Sequence, residues 1–182
     1  KSLIDKGCLE NKTIKMLRKN LLKESKGNPL YISEAVNIIT QATKDPFLKL
    51  DPTVFFNING IDDLYDMVLS SLDETQQLIL KVVSVIGKRF SCKDILFILP
   101  ECKNVIRQNV ISLCEKNILV RYDKNDEYGF THDKQLENTY KNVALNERWV
   151  WHLTQAKKYK NLRRYDLCGH HYYLSESYEE SI

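Results

Sequence analysis

From residue 11 to residue 24 the chain sets Ile14, Leu17, Leu21 and Leu22 on one helical face and Lys and Arg on the other, the stripe of a helix lying on a core. Gly27 can end that helix in a left-handed conformation. Asn28 can accept from the free N–H groups of a following helix, and Pro29 has the φ that suits a first helical position. Two helices therefore meet at a rigid corner. The second is predicted from Pro29 to about Thr43, with Leu30, Ile32, Val36, Ile38 and Ile39 well covered. The stretch "KDPFLKLDPTVFFNING" that follows holds two prolines and no helical period, and reads as a connector packing its aromatics on something.

Beyond the connector Ile61, Leu64, Tyr65, Val68 and Leu72 recur at helical spacing, predicting a short helix from Gly60 to Ser71. "LDETQQLILKVVSVIG" opens with Asp73 as cap, places Gln76 to reach back to it, and closes on Gly87. Its apolar residues lie on nearly every side, the pattern of a buried central helix. "SCKDILFILP" has Ser91 as cap and Pro100 as terminator, and a third helix from about Lys103 to Lys116 carries Ile106, Val110, Leu113 and Cys114 on one side. "ILVRYDKNDEYGFTH" then gives two β-rich runs around a turn at Asp123 to Asp126, a hairpin. Three helices followed by a hairpin predict a winged helix. Helical patterns resume in "DKQLENTYKNVAL", in "NERWVWHLTQAKKYK" and from Leu162 to about Tyr178, with connections short enough for antiparallel pairs, as in a bundle or the first turns of an α-solenoid. The expected fold class is mainly α: helices over residues 1–43, a connector at 44–60, a winged-helix domain with a small β-hairpin at 61–145, and a solenoid-like helical segment at 146–182.

Composition narrows the function little. A chain of 182 residues, 43% hydrophobic and 28% charged, is ordinary globular material, and 27 Lys and Arg against 24 Asp and Glu leave +3, too little to argue for a phosphate-tracking surface. Cys8, Cys92, Cys102, Cys114 and Cys168 are odd in number and form no C-x-x-C pair, so reduced thiols are the simplest reading. No apolar run is long enough to span a bilayer, and the expectation is a cytoplasmic protein without a membrane partner. The chain opens on Lys1 and its last residues, "YLSESYEESI", fall inside a helical pattern, as in a piece of a longer polypeptide.

Most catalytic motifs are missing. The nearest approach to a phosphate-binding loop is Gly87-Lys88, with Val82 where its first glycine would be required, and there is no H-E-x-x-H or G-x-S-x-G. No catalytic centre and no metal site is predicted. Cys168, His170 and His171 could form half a metal site but read better as helix-face residues, and His152, among Trp149, Val150 and Leu153, reads as a packing residue. His132 stands where the hairpin's second strand turns into a helix capped by Asp133. An imidazole there can donate to an anion held at a helix start, or can be a turn residue, and position alone leaves both open.

"GNPLYISEA", "LYDMVLSSLDETQQLILKVVSVIGKRF", "ILFILPECKNVIRQNVISLCEKNIL" and "FTHDKQLENTYKNV", in this order and spacing, resemble the second half of the nucleotide-binding module of STAND-type ATPases, a regulatory branch of the AAA+ class. Within that class they are most similar to the ATPase-related region of soluble, class III adenylyl cyclases, over about residues 11 to 160. The resemblance implies that residues 1–43 are lid helices and that Gly27, Asn28 and Pro29 lie against the adenine of a bound nucleotide. It further implies that the winged helix closes over ADP or ATP, with His132 of Thr131-His132-Asp133 contacting the β-phosphate of ADP. Threonine stands where the family's motif has methionine. The phosphate loop belongs to an upstream NTPase core and the cyclase chemistry to cyclase domains, the implied partners within one parent chain. This segment itself is then a conformational switch and not a catalyst, with no nucleotide of its own.

Two other classes stay open. A Gly-Asn-Pro corner needs no ligand to explain it. A winged helix can bind DNA as a transcriptional regulator, presenting Lys103, Arg107, Gln108 and Lys116 to a groove, although the thin charge and the acidic wing residues Asp123, Asp126 and Glu127 argue against nucleic acid. The C-terminal helices could instead hold a protein partner on an interaction scaffold in which the nucleotide motifs are vestigial.

Overall fold

The computed structural model describes residues 11–44, 60–123 and 126–175. It is mainly helical with a small antiparallel three-stranded sheet, and divides into two compact units between Ser71 and Leu72. Residues 1–10, the body of the predicted connector, the tip of the predicted turn and the end of the last predicted helix lie outside the described residues.

In the first unit α1 (Asn11–Ser25) packs on α2 (Pro29–Lys44), which packs on α3 (Ile61–Ser70). Lys26 and Gly27 both take positive φ, 46° and 83°, which ends α1 within one turn of its last residue. In the first two turns of α2 the buried residues are not those of the expected stripe. Tyr31, Glu34 and Ala35 are buried while Val36 is exposed, so the covered face runs through positions spaced i, i+3, i+4 that a count of aliphatic residues passes over. The side chains of Ile14, Leu17, Ile38 and Ile39 lie outside the described residues. Helix α3, read from the sequence as the opening of the winged-helix domain, falls in the first unit.

The second unit is built on α4 (Glu74–Ile86), where Ile79, Leu80 and every residue from Val82 to Ile86 are buried. The Asp73 carboxylate accepts from the Gln76 N–H at 2.8 Å, as a cap should. The Gln76 side chain does not complete a capping box. It donates to Ser112 Oγ and accepts from Lys116 Nζ, because burial gives its amide two polar partners on a neighbouring helix. After Gly87 comes β1 (Phe90–Ser91), a strand too short for alternation to predict, then α5 (Cys92–Ile98). Pro100 heads a 3-10 turn, Pro100–Cys102, which delays α6 to Ile106–Glu115 from the expected start near Lys103. The hairpin is present as β2 (Leu119–Asp123) and β3 (Glu127–Phe130), and β3 lies between β1 and β2, pairing Phe90 with Tyr128 and Leu119 with Phe130.

The last helices are α7 (Asp133–Lys141), α8 (Leu145–Asn161) and α9 (Tyr165–Leu174). α7 packs on α4, and α8 packs on α4, α5 and α9. Ala156, Cys168 and Tyr172, flanked by Leu153 and Tyr159, form the seam between α8 and α9. The buried face of α8 is Trp151, His152, Gln155 and Ala156. Trp149 and Val150, expected beside His152 in the packing, are exposed. Across the unit Lys158 of α8 is salt-bridged to Asp94, whose carboxylate also takes the N–H and hydroxyl of Ser91 at 2.7 Å each.

Candidate functional site

At the predicted corner, Asn28 N–H donates to Ser25 O at 2.7 Å and Asn28 Oδ1 accepts from Leu30 N–H at 3.0 Å. One residue thus closes α1 and caps α2, which leaves Pro29 at the first helical position, where its missing N–H costs nothing. Gly27, Asn28 and Pro29 are all exposed, and a methyl group added at Gly27 would meet no atom within 4 Å. Glycine is required there by the backbone and not by crowding.

His132, in the second unit, is the N-cap residue of α7, with extended backbone (φ −135°, ψ 134°). Its carbonyl accepts from Gln135 and Leu136 N–H, and its ring makes no hydrogen bond to the helix it caps. The cap is therefore His132 and not Asp133, which is the first helical residue; the Asp133 carboxylate is engaged by Lys88 Nζ at 2.6 Å. That hydrogen bond and the accompanying charge pairing raise the Lys88 pKa. Just upstream Thr131 N–H donates to Ile118 O and Thr131 Oγ1 to Asn117 O, so the chain enters His132 from a fastened strand. Lys88 joins this helix start from the α4–β1 link, a role hidden in the sequence because Gly87-Lys88 reads only as a failed phosphate loop.

A second constellation lies between α4, α7, α8 and α9. His152 Nδ1 and His171 Nδ1 are 2.8 Å apart, and Tyr140 Oη is 2.9 Å from His152 Nε2, which makes a hydrogen-bonded chain of three rings. Tyr159 stacks on His171 with ring centres 5.5 Å apart, and the Arg148 guanidinium lies 4.5 Å from the centre of the Tyr140 ring. Burial lowers the His152 pKa to about 4, helped by His170 and Arg148, and lowers that of His171 to about 3, helped by His152, His170 and Lys158. The chain borders a cavity of about 380 Å³ with an apolar wall that includes Val85, Ile86, Leu136 and Leu174. His170 lines the same cavity and is exposed, whereas Cys168 is buried in the α8–α9 seam. Among the described residues no group of three His, Cys, Asp or Glu side chains is placed to hold a metal ion. The pairing of His152 with His171 depends on how α8 and α9 meet across the Leu162–Arg164 turn, which residue spacing alone does not give.

No family model, no curated protein and no solved structure matches the chain.

Proposed function

We propose that this chain is a regulatory part of a multidomain signalling NTPase of the STAND branch of AAA+ proteins, related to the ATPase region of soluble adenylyl cyclases, and that its second unit contains a winged helix that closes over a bound adenine nucleotide. The observation that carries the reading is the order α4–β1–α5–α6–β2–β3 with β1 antiparallel to β3, a three-helix core with a β-ribbon returning along its edge. The junction after that ribbon supports the switch. His132 sits where β3 becomes α7, at a helix start that favours negative charge, and Lys88, paired there with the Asp133 carboxylate, lies at the same turn. In this reading the corner of Gly27, Asn28 and Pro29 meets the base, His132 donates to the β-phosphate of ADP, and an upstream NTPase core supplies the phosphate loop.

The test is ADP dissociation from the whole parent polypeptide. Losing a hydrogen bond to a charged group should cost about 1.5 to 3 kcal/mol and speed ADP release by roughly tenfold or more in His132→Ala. Pro29→Ala should weaken ADP and ATP alike. An unchanged off-rate in a folded His132→Ala protein would return His132 to a turn residue, and a parent lacking any phosphate loop would end the reading. The DNA-binding alternative draws less support, because Arg107 lies 3.6 Å from Asp126 and Arg89 is paired to Glu127 at 2.8 Å, so ribbon carboxylates sit beside the cations that would face a backbone.

A further inference from the structure

The nucleotide reading makes no use of the cavity between α4, α7, α8 and α9. At about 380 Å³ it lies at the small end of the range of ligand pockets, and like them it combines an apolar wall with a few convergent polar groups. Its polar groups have a definite character. A 2.8 Å contact between two Nδ1 atoms needs one donor and one acceptor, so at least one of His152 and His171 is an uncharged imidazole. The tautomers are then linked. If His152 donates to His171, His171 carries its proton on Nε2; if His171 donates, its Nε2 is a lone pair and His152 passes a hydrogen to the Tyr140 oxygen. The inner end of the chain can therefore offer either a donor or an acceptor at no cost in charge. At the rim, Glu137 and Lys141 stand one turn apart on α7, one of each sign, and favour neither an anion nor a cation.

The geometry points to a small-molecule site in this cavity that takes a neutral aromatic compound bearing one hydroxyl or amide group. The ring lies against Leu136, Leu174 and the imidazole of His170, and the polar group meets the His171 end of the imidazole chain. A ligand that donates selects one tautomer pair and a ligand that accepts selects the other, so the Tyr140 hydroxyl, which lines the same cavity, is an acceptor from His152 in one case and a donor to it in the other. This site does not rest on the nucleotide proposal, since neither His132 nor any residue of the Gly27–Pro29 corner lines the cavity.

p-Cresol is the probe. It is titrated into the full 182-residue chain with ¹⁵N-labelled histidine, and the imidazole nitrogens are followed by NMR. Saturable shifts at His152 and His171, with nuclear Overhauser contacts from the cresol methyl to Leu136 and Leu174, are the expected result. Toluene, which lacks the hydroxyl, should bind about fivefold more weakly, the equivalent of one neutral hydrogen bond. Leu136→Trp should fill the cavity and abolish the shifts; if that variant does not fold, the Overhauser contacts in the unaltered protein decide. Absence of saturable shifts, contacts to residues elsewhere, or benzoate binding as tightly as p-cresol would each overturn the proposal.

Discussion

Gly129 leaves no room for a methyl group. A Cβ there would run into the Lys88 carbonyl oxygen and lie 2.7 Å from Tyr122 Cε2, and the first of these is backbone that cannot swing away. Gly129→Ala should therefore force β3 off the Lys88 backbone at a cost of about 2 kcal/mol or more, read as a lower urea midpoint with an unchanged m-value. The buried histidines make a prediction of a different kind. Both imidazoles titrate below the unfolded value of 6.5, so between about pH 6.5 and 4 the unfolded chain binds protons that the folded one refuses. Stability is full above about pH 6.5 and falls as the pH drops, by up to about 1.4 kcal/mol per pH unit for each histidine. Urea midpoints at pH 7.5 and pH 5 should show the loss, and replacing both histidines by glutamine should flatten it. A wild-type midpoint that stays level across this interval would contradict the burial of the two rings as neutral imidazoles.

At the scale of elements the first turn of α5 is tied to α8 across the unit. Burial raises the Asp94 pKa, but the hydrogen bonds from Lys158 and from the Ser91 hydroxyl and N–H outweigh it and hold the group ionised. Asp94→Ala removes the half of the α5 capping box that reaches back to Ser91 and strands Lys158, whose side chain is only 13% exposed, and should cost about 2 to 4 kcal/mol. Ser91→Ala, which removes only the hydroxyl's share, should cost about 1 kcal/mol. A double-mutant cycle of Asp94→Ala with Lys158→Met should show coupling, since neither partner is left alone in the double variant. The helices were legible because each boundary has its own local chemistry, as at Asp73, Ser91 and the Gly27–Pro29 corner. What was not legible depends on partners far along the chain. β1 exists only because β3 is there to pair with it, the Gln76 amide turns to α6, and α8 carries two possible stripes of which only the one through Trp151 and Gln155 finds a surface to cover. Of the candidate site, the corner and the position of His132 could be read. The cavity could not, because its wall draws on four helices.

For the molecule as a whole the charge decides what it will not hold. With a net +3 and ribbon carboxylates paired to nearby arginines, the chain should retain duplex DNA only weakly and without sequence preference at low salt, and release it at physiological salt in a gel-shift assay. Tight, sequence-selective retention would promote the transcription-factor reading. Integrity in the second unit is shared across its length, because α8 rests on both α4 and α5 and carries the cation for Asp94. That salt bridge constrains how such a protein can be inherited. A recombination event that copied the helix–hairpin block into a new gene without the helices after it would deliver a carboxylate already committed to a counterion left behind. The Asp94 carboxylate would then open to water with the Ser91 N–H and hydroxyl as its remaining partners, and the face of α5 that α8 covers would be bare.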